Sequence, residues 1–129
     1  NDYEEARTDA YESTQHSLVD FIPFDEWAVK KKILFDIGPD RRGIDGMTLD
    51  ENGNIYATAG RGELSGIYVF SPAGKQLAFI PTGDTPTNCV FGGGKEKSTL
   101  YITAVGPKPE DRWGLYRIPL KVNGHHIYE

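Results

Sequence analysis

A single cysteine, Cys89, excludes a disulfide framework and any cysteine-based metal cluster, and a buried apolar role suits it best. No apolar run is long enough to cross a bilayer, and the acidic opening residues do not resemble a signal peptide. These absences point to a soluble protein and leave its compartment open between the cytoplasm and a periplasmic or secreted location. Positive charge is also scarce: 14 Lys and Arg stand against 19 Asp and Glu, a net charge of −5. Such a chain has no positive field to hold a phosphate backbone, so neither nucleic acid nor an acidic membrane surface is an expected partner. The basic run Lys30-Lys31-Lys32 is short and reads as a solvated hairpin end. No Gly-x-Ser-x-Gly and no Cys/His pair occurs, and Gly92-Gly93-Gly94 lacks the Lys-Ser/Thr of a nucleotide loop, so covalent serine catalysis and phosphate binding have no support.

Turn residues are abundant, with 15 Gly and 8 Pro in 129 residues. With 38% hydrophobic and 26% charged residues, this composition suits a globular fold of short strands better than a helical bundle. The order of motifs also repeats. Asp45-Gly46-Met47-Thr48-Leu49 leads through Asp50-Glu51-Asn52-Gly53 into Asn54-Ile55-Tyr56-Ala57-Thr58, and an Asn-Gly turn between apolar runs is a strong hairpin signal. Gly66–Phe70, the turn Ser71-Pro72-Ala73-Gly74 and Gln76–Ile80 complete a four-stranded meander. Asn88–Gly92, Leu100–Thr103 and Gly114–Ile118 then repeat the order, with Asp45 and Asn88 opening the two units 43 residues apart.

A period of 40 to 50 residues is the mark of a β-propeller. Leu18–Phe24 and Ile33–Ile37 read as the outer strands of a preceding blade, while Tyr3–Gln15 reads as a loop or short surface helix. The expected fold is all-β: about two and a half four-stranded antiparallel blades, divided into a partial blade with an acidic N-terminal loop at 1–41, a full blade at 42–84, and a last blade or closing strands at 85–129. A partial propeller leaves blade faces and strand edges uncovered. The expected partner is therefore the missing N-terminal blades, as a second chain or a second copy, and this chain is expected to be the C-terminal portion of the whole.

Gly43–Tyr56, Gly66–Lys75, Pro86–Gly93, Leu100–Thr103 and Leu115–Ile118 together resemble the SMP-30/gluconolactonase family of metal-dependent lactonases, and the resemblance covers about Leu18 to His126. It implies a six-bladed propeller with one divalent cation at the channel mouth, most often Ca2+, with Zn2+, Mg2+ and Mn2+ as alternatives. Among the family's ligands, the Asp of the Asp-Gly-Met segment falls on Asp45, while the N-terminal glutamate and the Pro-Asn-Gly asparagine have no counterpart here. The implied substrate is a small sugar-acid lactone; related propellers hydrolyse other esters or phosphotriesters with a similar ion.

Calcium takes six to eight oxygens, so Asp45 needs ligand partners from the absent blades. Lactone opening needs stabilised negative charge on the carbonyl oxygen, which a cation supplies, and a base for the attacking water. Asp45 is the candidate for both metal binding and catalysis, against the alternative of an Asp that only caps a turn. Asn88, at the equivalent place in the next unit, is a candidate for binding substrate or metal-bound water. Arg61 and Glu63, in the Gly60–Glu63 loop, are placed to recognise sugar hydroxyls or simply to be solvated. Asn1 and Asp2 fit either a polar pair beside the pocket or a chain end. His125 and His126 are read as part of a closing strand, since neighbours on a strand face opposite sides and do not share one ion. A binding or assembly module without chemistry is the rival reading.

Overall fold

The structure, a computed structural model, describes residues 31–108 and 110–126. The chain divides into two compact units, Asn1–Ile33 and Leu34–Glu129. Of the first unit only residues 31–33 are described, and all three are exposed. The expected strand Leu18–Phe24, the segment Tyr3–Gln15, and Asn1 and Asp2 lie outside the described residues.

The second unit is all-β. Strands β1 (Met47–Leu49), β2 (Ile55–Ala59), β3 (Gly66–Phe70) and β4 (Gln76–Pro81) form a four-stranded antiparallel meander. Strands β5 (Thr85–Phe91), β6 (Thr99–Val105) and β7 (Trp113–Pro119) form a three-stranded one. These are blades of the β-propeller type that the repeat announced. The first hairpin forms where Asn52-Gly53 predicts it. Gly53 takes φ +81°, open to glycine and strained for other residues, and the Asp50 carboxylate accepts bonds from the Asn52 and Asn54 backbone N–H groups at 2.9 Å each.

Alternation along the strands sends two sets of side chains to opposite faces of the first sheet. Tyr56, Ile67 and Val69 meet Cys89, Phe91, Leu100 and Ile102 of the second sheet to form the larger core. The Tyr56 and Phe91 rings close this interface edge to face, 5.2 Å apart at 84°. Leu100 is fully buried there, and truncating such a side chain to Ala costs roughly 2–5 kcal/mol. Ala57, Ala59, Tyr68 and Phe70 form the opposite face, covered by Phe35 and Ile37.

That covering segment corrects one expectation. Ile33–Ile37 has no strand structure; Phe35 and Ile37 serve packing, with the Phe35 ring 4.6 Å from Phe70, Ile33 and Leu34 are exposed, and the backbone joins no ladder among the described residues. Hydrophobic alternation alone cannot distinguish a paired strand from an extended segment lying across a sheet.

The chain after β7 links the two sheets at one end. Leu120 and Gly124 donate to the carbonyls of Ser98 and Lys97, while Glu51 donates to Asn123 and His125 to Leu49. Among the described residues its pairing is the single bridge Asp50–Gly124. His125 is exposed and His126 half-buried. The opposite end, where β1 and β5 begin and β2 and β6 finish, carries the residues singled out for function.

Candidate functional site

Asp45 precedes β1, and its placement comes from β2. Its N–H donates to the Thr58 carbonyl at 3.0 Å, which extends the β1–β2 ladder past the end of β1. Thr58 is a hydroxyl in an otherwise apolar strand and is fully buried. Its Oγ1 accepts from Gly46 N–H at 2.9 Å and donates to the Gly46 carbonyl at 3.1 Å, while its own N–H donates to that carbonyl at 2.9 Å. The peptide after Asp45 is thus held on both sides, leaving the carboxylate itself to project, 58% exposed.

Asn88 is brought against the same peptide from the other sheet. A Cβ placed on Gly46 would lie 2.8 Å from Asn88 Cα and closer still to the Asn88 amide oxygen, so only glycine admits this approach. Asn88 is exposed and pairs with Thr103. Its Oδ1 accepts from Cys89 N–H at 2.9 Å, which leaves the two Nδ2 donors for other acceptors. Thr87 and Thr103 add hydroxyls 2.9 Å apart, and Thr103 also donates to the Asn88 carbonyl at 3.4 Å. A shallow groove lined by Asn88, Cys89, Val90, Tyr101, Thr103 and Leu115 opens on this face.

Arg42, which sequence reasoning did not single out, reaches the same place. Its Nη2 donates to the Pro86 carbonyl and lies 3.9 Å from Asp45 Oδ2. Its own carbonyl accepts from Gly60 N–H at 3.0 Å. The pair is at the long limit of an ion pair and its carboxylate is solvated, so it contributes at most about 1 kcal/mol. Arg61 follows Gly60 at this end, exposed on the short 3-10 turn Gly62–Leu64 with Glu63. Among the described residues its side chain makes no hydrogen bond to Asp45 or Asn88. The structure therefore sets Asn88 against Gly46, the residue after Asp45, and leaves Arg61 exposed at this end.

Cys89 is buried as expected, with its thiol donating to the Tyr56 carbonyl at 3.4 Å. Burial pushes the thiol up to about 12, only partly opposed by a backbone hydrogen bond involving Thr48, so it is no nucleophile at neutral pH. The Tyr56 hydroxyl is also pushed up to about 12, first by burial and then by its bond to Asp50.

The donor set does not by itself fit a divalent cation. Asp45 supplies one carboxylate with a guanidinium beside it, and Asn88 already spends its oxygen on Cys89 N–H. Among the described residues no three His, Cys, Asp or Glu side chains gather into a possible metal cluster. What the two residues offer is an exposed carboxylate on one blade and an exposed amide on the next.

Two comparisons bear on this geometry. The family model described as SMP-30/Gluconolactonase/LRE-like region matches residues 8–106. A gluconolactonase of Zymomonas mobilis is 40% identical over 62 residues, which cover 46% of this chain and 16% of that protein. The match thus spans about a sixth of the relative's length.

Proposed function

The chain belongs to the SMP-30/gluconolactonase/LRE-like family, and from that premise we propose that it forms part of a hydrolase that opens a sugar-acid lactone. The observation that carries this reading is the approach of Asn88 to Gly46, which brings Asn88 against the residue that follows the exposed Asp45 at the meeting of two blades. The match to a gluconolactonase supports the substrate class.

In this reading a water molecule attacks the lactone carbonyl carbon, Asp45 accepts the water's proton, and Asn88 Nδ2 donates to a substrate oxygen. The ring C–O bond breaks and its oxygen takes the proton back from Asp45, giving the hydroxy acid and restoring the carboxylate. Arg61, at the rim, is the candidate for contacts with sugar hydroxyls. The divalent cation, calcium first among the candidates, belongs to the proposal as an ion to which Asp45 contributes one ligand, the others coming from outside residues 31–126.

Native mass spectrometry with parallel hydrolysis of glucono-δ-lactone tests the proposal. A particle completed by further propeller blades, carrying one calcium and hydrolysing the lactone, supports it, with Asp45→Asn losing both the metal and at least about 100-fold in rate, the low end expected for a general base. Hydrolysis that survives Asp45→Asn refutes the assignment of Asp45. A metal-free, inactive particle made only of copies of this chain refutes the lactonase reading for it.

A second reading, an assembly module without chemistry, is favoured by one observation. The outward face of the second sheet exposes Val90, Trp113 and Leu115 at 59, 73 and 71%, an apolar surface suited to covering by another blade. The same experiment separates the two.

A further inference from the structure

We propose that Arg42 is a positioning residue for the Asp45–Asn88 pair and that it acts through a bulge in β5. The inference rests on the reading of that pair as the working site.

Register along β5 passes from Pro86 opposite Ala104 to Asn88 opposite Thr103, so Thr87 is an extra residue without a partner on β6. Side chains two apart on a regular strand share a face, yet Pro86 is buried and Asn88 exposed. The bulge is what turns Asn88 outward; on an unbroken ladder it would share the buried face of Pro86. Arg42 holds the carbonyl at the start of this irregularity, with Nη2 donating to Pro86. The same nitrogen is 3.9 Å from Asp45 Oδ2, and the Arg42 carbonyl takes the N–H of Gly60 at the end of β2. One residue thus joins the segment carrying Asp45, the loop carrying Arg61 and the strand carrying Asn88.

The Arg42 side chain is only 17% exposed, against 58% for Asp45, so its neighbours fix the guanidinium while the carboxylate faces solvent. A planar fork of donors can bond a carbonyl while facing a carboxylate; a lysine ammonium offers one nitrogen on a flexible stem.

The test is made on the full chain with Arg42→Met, which keeps the apolar stem. It is read by NMR at the Asn88 side-chain amide and the Asp45 carboxyl carbon, with the methyl signals of Leu100 and Ile102 reporting on the core. The expected result is native methyl signals, with the Asn88 and Asp45 signals shifted and averaged toward exposed-residue values. Native signals at both sites overturn the proposal. If Arg42→Met does not fold, Arg42→Lys is measured instead: a departure at either site supports the proposal, and native values at both overturn it. The measurement uses neither substrate nor cation, so its failure is separate from a failure of the lactonase reading, which rests on hydrolysis and bound calcium.

Discussion

Gly46→Ala isolates the close approach on which the candidate site depends. The Gly46 backbone is not left-handed, so alanine adopts it without strain, and the whole effect comes from the added methyl. That methyl would sit 2.8 Å from Asn88 Cα. A side chain can rotate away, but a backbone atom cannot, so β5 must move by several tenths of an ångström. Overpacking of this kind costs roughly 1–3 kcal/mol. For a domain of this size each kcal/mol lowers the melting temperature by about 4–8 °C, so a loss of about 2 kcal/mol is a fall of about 8–16 °C. Gly43 is the control: its backbone is also ordinary and its Cβ would meet nothing within 4 Å, so Gly43→Ala should be neutral or stabilise by up to about 1 kcal/mol. Asn88→Ala removes the amide but leaves the β5 backbone in the way, so in the double variant it should restore part of the loss, with a coupling of at least about 0.5 kcal/mol. Urea denaturation of the parent and the four variants measures the free-energy changes, and thermal melting the fall in melting temperature. Gly46→Ala as stable as Gly43→Ala, or no coupling with Asn88→Ala, would refute the close approach of the two blades.

Thr58→Val keeps the shape of the buried side chain and leaves Gly46 N–H without its acceptor, so stability should fall by about 1–3 kcal/mol in urea, while Thr58→Ser stays close to the parent. Alkaline pH should destabilise the fold, because Tyr56 and Cys89 both have folded values raised to about 12. Their stabilisation is complete below about pH 9, where both are protonated in either state, and is lost as pH rises toward 12; Cys89→Ala should delay the onset to about pH 10, and a urea midpoint flat from pH 8 to 11 contradicts the burial of both groups. Leu115→Lys replaces an exposed residue, so unfolding should shift by no more than about 0.5 kcal/mol, while association with a completing blade weakens in native mass spectra; a large loss of stability would mean the face is already covered.

Much of the fold is written in short-range chemistry. Asn52-Gly53 and Ser71–Gly74 specify turns through residues whose backbones and side chains favour them, and the apolar runs between them have strand length. Gly66–Phe70 is buried at every position, so its unbroken apolar run marks a strand covered on both faces. Ile33–Ile37 carries a similar apolar signal and is no strand, because pairing requires a partner edge that a local pattern does not encode. Asp45 and Asn88 were legible as equivalent positions in two units, but their approach across blades was not. It depends on the missing side chain of Gly46 and on the extra residue in β5, and neither has a pattern that periodicity can detect.

The residues that sequence reasoning missed share a physical cause. Thr58 looks like one more β-branched residue in a strand, and Arg42 like one of two adjacent surface cations; each becomes informative only through a partner distant in the chain, Gly46 for the first and Pro86 for the second. Both bind backbone atoms and so constrain where the functional side chains stand, and Arg42 in addition faces the Asp45 carboxylate at 3.9 Å. Asp45 makes the complementary case. Its peptide is fixed from two sides, while its carboxylate is solvated with only one distant cation beside it. A carboxylate that merely capped a turn would turn back onto its own backbone, as Asp50 does at 1% exposure, accepting two backbone N–H bonds and two more from the Asn54 and Tyr56 side chains. The contrast between these two aspartates, five residues apart, separates the projecting Asp45 carboxylate from one that caps a turn.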